Sequence, residues 1–281
     1  MSGDLAVPPG WLRPDWPAPA NVRAVCTSRE GGVSAAPYAS LNLGDHVGDR
    51  AADVQANRAA LRSAIGARPV FLQQVHGCEV LGLSPDTRDG SVADACETQA
   101  PGIACTIMVA DCLPVLFTDR SGSWVAAAHA GWRGLAGEGG QGVLEAVLKS
   151  FQAQAPQECG QTAMKRHAGE VLAWLGPCIG PQAFEVGAEV REAFCATDAG
   201  AAAHFRAQGV AGKYLADLAG LARRRLQALG VAHISGNDGS AAWCTVSDPA
   251  RFFSHRRDTA RLGGSGRFAA CVWLEGAAGR G

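Results

Sequence analysis

Three residues with metal-binding or nucleophilic side chains stand in unusual local settings: His76 in QQVHG, Cys112 in VADCLP and His129 in HAGWRG. Asp111 interrupts the apolar run that carries Cys112, and a carboxylate buried there is costly unless it is paired or ligated. His129 ends an apolar stretch, has small residues on either side that let a ligand approach, and is followed by Arg133 at the start of the next helix. Backbone N–H groups at such a helix start, helped by an arginine, suit a phosphate or a carboxylate. Two imidazoles and one thiolate form a three-ligand set for catalytic zinc, with the fourth position open to water or substrate. The separations, 36 residues and then 17, are not those of a zinc finger, so the site has to be assembled from different strands. The same residues allow a metal-free alternative in which Cys112 is a nucleophile, His129 or His76 its base and Asp111 the orienting group. Taken singly, each residue also has a plain structural explanation: a core cysteine, a loop-capping carboxylate, a satisfied histidine. A multicentre copper oxidase needs many closely paired histidines, and with seven histidines and no H-x-H this chain argues against one.

The elements that must position these residues follow from apolar periodicity and turn signals. VRAVCTS from residue 22 reads as a strand, followed by a Gly-, Ser- and Asn-rich loop too long to be an idle turn. Ala51 to Ile65 places Val54, Leu61 and Ile65 at helical spacing, and PVFLQQVHG then reads as a strand that ends at His76. ACTIMVADCLPVLFT reads as one buried strand or a strand pair broken near Pro114. SGSWVAAAHAGWRG is a strand entering a glycine-flanked turn, with a helix established by Val143. EVLAWLGPCIGP is a further strand, 188–196 and 215–229 are helices, and FAACVWL is the closing strand. The proline-rich residues 1–20 read as an extended arm anchored by Trp11 and Trp16, and the polar stretch 152–170 as a surface insertion in the single domain 21–281. Strands and helices mix without a regular βαβ period, which gives a single α+β domain.

Composition excludes several classes. A net charge of −1 offers no general attraction to a polyanion, so a nucleic-acid partner is not expected. No apolar run spans a bilayer, because Asp111 interrupts the longest, and no membrane partner is expected. The N-terminus lacks a basic region followed by an apolar stretch, which points to a cytoplasmic setting. Ten cysteines occur singly with no C-x-x-C pair, so Cys26, Cys105, Cys159, Cys195 and Cys271 read as small apolar side chains rather than disulfide partners.

In order along the chain, QQVHG, VADCLPVLF, HAGWRGLA, GPCIGPQAFEVG and FFSHRRD resemble the YfiH/laccase-domain family, and the likeness extends to DWPAPANVRAVCTSREGGVS and YASLNLGDHVGD. The resemblance implies a single-domain layered α/β sandwich related to cysteine-hydrolase-like folds. It implies a zinc ion on His76, Cys112 and His129, with copper as the alternative metal behind an older polyphenol oxidase label. It also implies small-molecule substrates: phosphorolysis of inosine, adenosine or methylthioadenosine, and deamination of adenosine. An amidase that edits muropeptide precursors is the competing activity, and a non-enzymatic metal-binding partner protein the competing class.

Phosphorolysis needs an anion cradle, a purine pocket and stabilisation of positive charge on the ribose. Arg133, Arg256 and Arg257 are the phosphate candidates, Asn42 and Arg58 the nucleoside candidates, and Glu185 the candidate for a ribose hydroxyl. Deamination needs a carboxylate that moves a proton beside the metal, a role Asp111 could take. The chain departs from the family pattern at His255, where tyrosine is usual, at 152–170, and in the lengthened SAAWCTVSDPA and DTARLGGSGRF segments.

Overall fold

The structure, a computed structural model, describes residues 7–154 and 166–276. It is built on two sheets packed face to face. A four-stranded sheet has the order β1 (Val22–Cys26), β13 (Phe268–Leu274), β5 (Ile103–Val109) and β2 (Arg68–Phe71). A six-stranded sheet has the order β12 (His233–Gly236), β8 (Val171–Leu175), β6 (Leu113–Asp119), β7 (Val125–Ala130), β4 (Ala95–Thr98) and β3 (Val80–Gly82). A small third sheet, β10 (Phe205–Ala207), β11 (Lys213–Ala216) and β9 (Glu185–Gly187), lies beyond them. Pairing is mostly antiparallel, with parallel contacts of β2 to β5, β3 to β4 and β8 to β12. The whole is one mixed α/β domain.

Side-chain alternation sorts the strands into layers. Along β7, Ala126, Ala128 and Ala130 face a helical layer, whereas Val125 and Ala127 face the other sheet. Val70, Cys105, Ile107, Leu116, Phe268 and Val272 complete the intersheet core. On the far side of the six-stranded sheet pack α3 (Val143–Ala153) and α5 (Leu218–Ala228), through Leu144, Val147 and Phe151 of the first and Leu221 and Leu226 of the second, and α4 (Ala188–Cys195), the helix expected at 188–196, joins the same cluster through Val190 and Phe194. On the outer face of the four-stranded sheet lies α1 (Ala51–Ile65), which buries Val54, Leu61 and Ile65 and stops at Gly66 in a left-handed conformation (φ 64°). Leu12 bridges Cys26, with Trp11 packed near α1 and Trp16 against the intersheet core.

Three local expectations change. Of the two expectations for the apolar run through Cys112, one strand or a strand pair, the pair is found, but its break lies at Ala110–Cys112 and not near Pro114: β5 is in one sheet and β6 in the other, and the chain crosses with Asp111 at φ 95°. Pro114 lies inside β6 opposite His129. The strand before His76 ends at Phe71, and Gln73 to Gly77 form a loop with His76 in the left-handed region (φ 63°). Tyr214 and Leu215 belong to β11, so the helix expected from residue 215 begins at Leu218. The middle of the expected insertion at 152–170, residues 155–165, and Cys159 within it, lie outside the described residues; α3 runs to Ala153 and a 3₁₀ turn follows at Ala168–Glu170. Cys26, Cys105 and Cys271 are buried free thiols, and Cys195 is half-buried. Among the described residues no helix is long and apolar enough to cross a membrane.

Leu116 is fully buried between the two sheets. Leu116→Ala is expected to reduce the free energy of unfolding by about 2–5 kcal/mol, measured by urea denaturation. A loss well below that range would contradict close packing of the sheets.

Candidate metal centre

The three ligand candidates converge at one end of the sandwich. His129 is the fifth residue of β7 and shares the intersheet face with Val125 and Ala127. Cys112 immediately precedes β6, so the pairing of β6 with β7 brings it beside His129. His76 reaches them from its loop. The His76, Cys112 and His129 ligand atoms all lie within 4.8 Å of one another, and Cys112 Sγ is 3.7 Å from His76 Nε2. In tetrahedral zinc sites with Zn–S near 2.3 Å and Zn–N near 2.0–2.1 Å, ligand atoms stand about 3.5 Å apart, so this donor set fits such an ion after small rotations. Among the described residues it is the one cluster of this kind.

The approach is made possible by Gly131. A Cβ there would come within 2.8 Å of the His76 ring and 3.1 Å of Cys112 Sγ, so any other residue would push two ligands aside. At Gly134, in the short helix α2 (Trp132–Ala136), a Cβ would meet the Gly77 carbonyl at 2.6 Å. The glycines of HAGWRG therefore let the His76 loop settle on the turn after β7.

Asp94, which sequence reasoning did not select, organises the centre. Because β4 pairs with β7 at Ala95 and Ala128, Asp94 sits beside His129. Its fully buried carboxylate lies 2.8 Å from His129 Nδ1 and accepts the backbone N–H groups of Val75 (3.1 Å), His76 (2.8 Å) and Gly77 (2.6 Å). One carboxylate thus orients one candidate ligand ring and fixes the loop that carries another, as the carboxylates that hydrogen-bond metal-bound histidines do. Burial opposes its charge, yet the bonds from His129 and the Gly77 N–H hold its carboxyl below the usual carboxylate range. With Nδ1 tied to Asp94, His129 presents Nε2 to Cys112. The available sequence signal was SVADACE, an acid inside an apolar run as in VADC.

In the metal-free protein the ligands form a charged pair. Burial pushes the Cys112 thiol up, but the charge of His129 and hydrogen bonds to both histidines outweigh it and bring the thiol down to about 6. Burial pushes His129 down, and the Cys112 thiolate together with Asp94 reverses this and raises it to about 9. Near neutrality the pair is therefore thiolate and imidazolium.

Above the group lies a cavity of about 390 Å³ whose wall includes Asp111, Trp132, Phe184, His255, Arg256 and Arg267. Asp111 Oδ1 accepts from the Thr245 hydroxyl (2.6 Å) and Oδ2 from the Arg256 N–H (2.6 Å), which ties Cys112 to α6 (His255–Leu262). Arg256 lies over Phe184 and donates to the Glu185 carbonyl. Gln74 also faces the cavity, but its amide is used on both sides by the Met108 backbone.

Other candidates are not in this wall, each for a definite reason. Asn42 is fully buried, its amide bonded to Gly44 and Asp49 and its carbonyl to the N–H groups of Gly44 and Arg267. Arg58 stacks on Phe71 and bonds the Leu43 carbonyl and Asp45 in a separate cleft. Arg257 is spent on Asp258 and the carbonyls of Thr245 and Phe252. Arg133 is exposed and stacks on Trp132, and Glu185 contributes its carbonyl to Arg256 while its exposed side chain lies outside the wall. Contact with a ligand is a tertiary property, and a basic residue beside a motif carries no sign of which way it points.

A sandwich-end cavity over an N₂S ligand group defines a metal-site α/β protein. The chain belongs to the family described as multi-copper polyphenol oxidoreductase laccase, whose model matches residues 23–275. It is 50% identical over 265 residues to a purine nucleoside phosphorylase of Pseudomonas aeruginosa, covering 94% of this chain and 98% of that protein. It is 48% identical over 263 residues to the Escherichia coli purine nucleoside phosphorylase YfiH, covering 93% and 97%. Among solved structures, a Neisseria meningitidis protein, NMB0706, superposes with a TM-score of 0.83 at 43% identity, covering 95% of this chain and all of that one. YlmD from Geobacillus stearothermophilus gives 0.79 at 30% identity, covering 95% and 97%.

Two outcomes follow. Asp94→Asn is expected to weaken metal binding about 10- to 100-fold in a chelator competition, and unchanged affinity would contradict the role given to Asp94. Zinc loading of the metal-free protein requires a neutral His129 and a Cys112 thiolate. At pH 7.5, between about 6 for Cys112 and about 9 for His129, it should release one proton from His129, and at pH 5 at least one more from the Cys112 thiol. Calorimetry in buffers of different ionisation enthalpy reads this directly, and release independent of pH would contradict the charged pair.

Proposed function

We propose that this enzyme cleaves the glycosidic bond of purine nucleosides with inorganic phosphate, in a site where His76, Cys112 and His129 would hold a zinc ion. The observation that carries the reading is one cavity combining that N₂S group, two guanidinium groups and an apolar, partly aromatic wall of Trp132, Ile179, Phe184 and Leu218. Its volume, about 390 Å³, falls in the usual range for small-molecule sites. The names of the two bacterial relatives support the same activity.

In phosphorolysis a phosphate oxygen forms a bond to the ribose C1′ while the bond from C1′ to the purine nitrogen breaks, its electron pair leaving with the base. Zinc held by these three residues would supply a Lewis acid. The chain contributes the rest. The side chains of Trp132 and Phe184 in the wall offer apolar contact to the purine, and the guanidinium of Arg256, steadied by the Glu185 carbonyl, offsets phosphate charge. The apolar wall excludes water that would otherwise compete with phosphate. Adenosine deamination would use the same cavity, with Asp111 as the proton-carrying carboxylate beside Cys112.

One feature favours a second reading. Asp94, His129 and Cys112 line up as orienting acid, imidazole and thiolate, the arrangement of a cysteine hydrolase. On that reading, which goes with a relation to cysteine-hydrolase-like folds, the substrate is an amide such as a muropeptide precursor and the metal is dispensable.

Protein purified without a metal-chelating tag should release base from inosine and adenosine only with phosphate, forming ribose 1-phosphate. His76→Ala, Cys112→Ala and His129→Ala should each lower kcat/KM at least about 100-fold, given the several kcal/mol a catalytic metal contributes. Base release that proceeds equally without phosphate would end the phosphorolysis reading. Amide hydrolysis that survives complete removal of metal would favour the second.

A further inference from the structure

Arg267 carries a half-buried guanidinium in the cavity wall, and among the described residues it has no carboxylate in ion-pair contact. Its Nη1 donates to the carbonyls of Ser265 (3.0 Å) and Gly266 (3.1 Å). Those bonds fix the plane of the group and leave Nε and Nη2 without a protein acceptor among the described residues. A cation taken partly out of water is costly without a partner, and burial lowers the Arg267 pKa against the opposing pull of Cys112 and Asp111. Arg267 lines the same cavity as His76, Cys112 and His129.

The surrounding chain is shaped to hold this side chain. The Arg267 N–H donates to Asn42 Oδ1 at 2.8 Å, and the Arg267 carbonyl accepts from Leu43 at 3.0 Å. The stem lies against Gly44, where a Cβ would approach Arg267 Cγ to 2.8 Å, so a side chain there would displace the arginine. Asn42 is in turn locked by Asp49 and by the N–H and carbonyl of Gly44. The buried network of the long loop therefore ends at one cavity-facing cation, which also accounts for why Asn42 itself does not face the cavity.

We propose that Arg267 is the phosphate seat: its Nε and Nη2 fork receives two oxygens of inorganic phosphate beside the N₂S group, with Arg256 completing the charge from the same wall. A guanidinium edge matches two phosphate oxygens in a way an ammonium cannot. The proposal rests on the phosphorolysis reading and names the residue that gives that reading its co-substrate.

The test uses zinc-loaded protein and two readouts, inorganic phosphate binding by calorimetry and separate KM values for phosphate and inosine. Arg267→Gln should raise both the phosphate Kd and the phosphate KM about 10- to 100-fold, as expected for charge-assisted hydrogen bonds, with inosine KM and zinc content near wild type. Arg267→Lys, which keeps the charge and most of the stem, should fall between the two and serves as the probe if the glutamine variant loses zinc or folds poorly. Unchanged phosphate binding in either well-folded variant, or a loss confined to the inosine KM, overturns the proposal. Wild-type protein that binds no phosphate also overturns it. Wild-type protein that binds phosphate through Arg267 yet releases base equally without it keeps the anion seat and removes the phosphorolysis reading instead.

Discussion

The buried carboxylate of Asp94 is the constraint on which the rest of the site depends. It holds three consecutive backbone N–H groups, Val75 to Gly77, and the His129 ring at the same time. A single buried charge is tolerated because every interaction around it satisfies that charge. The His76 loop, which belongs to no strand and carries a left-handed histidine, owes its position to this carboxylate. Two of the three candidate ligands are consequently placed by one carboxylate outside the donor set.

The third ligand is placed by topology. The chain passes from one sheet to the other at Ala110–Cys112, and Asp111 adopts φ 95° at that crossing with its side chain bonded to Thr245 and the N-terminal turn of α6. A positive φ at a non-glycine residue costs energy that surrounding contacts must offset, and here the offset also fixes the direction of Cys112. Because α6 brings Arg256 and His255 to the cavity, the crossing links the ligand thiolate to the polar rim. His255, which stands where the family pattern has tyrosine, opens that helix with Nδ1 3.0 Å from the Thr259 hydroxyl and its ring in the cavity wall. In the same wall, His46 is held below its usual pKa, by burial first and then by the Arg267 charge.

Much of the fold was legible because its apolar patterns are strong. Helix α1 spans the residues its spacing indicated, Ala51 to Ile65, and β13 is the FAACVWL run. His76, Cys112 and His129 stood out because ligand types in apolar or glycine-flanked settings are unusual. What escaped was information that exists only between segments. An apolar run does not reveal that its halves belong to different sheets, so β5 and β6 read as one strand or an adjacent pair. Asp94 acts on a loop 17 to 19 residues away and on a histidine 35 residues away, neither of which its local sequence marks. The arginines show the same limit: Arg257 and Arg58 are committed to carbonyls and stacking, whereas Arg267, at the start of an apolar strand, faces the cavity.

The central claim is that two imidazoles and the Cys112 thiolate hold one metal ion at the floor of the cavity. X-ray absorption at the zinc edge of protein purified without a chelating tag tests it most directly. The account predicts a first shell of one sulfur near 2.3 Å and two nitrogens near 2.0–2.1 Å, with a further light-atom ligand in the open position. A shell without sulfur, or one with several sulfurs, would contradict it.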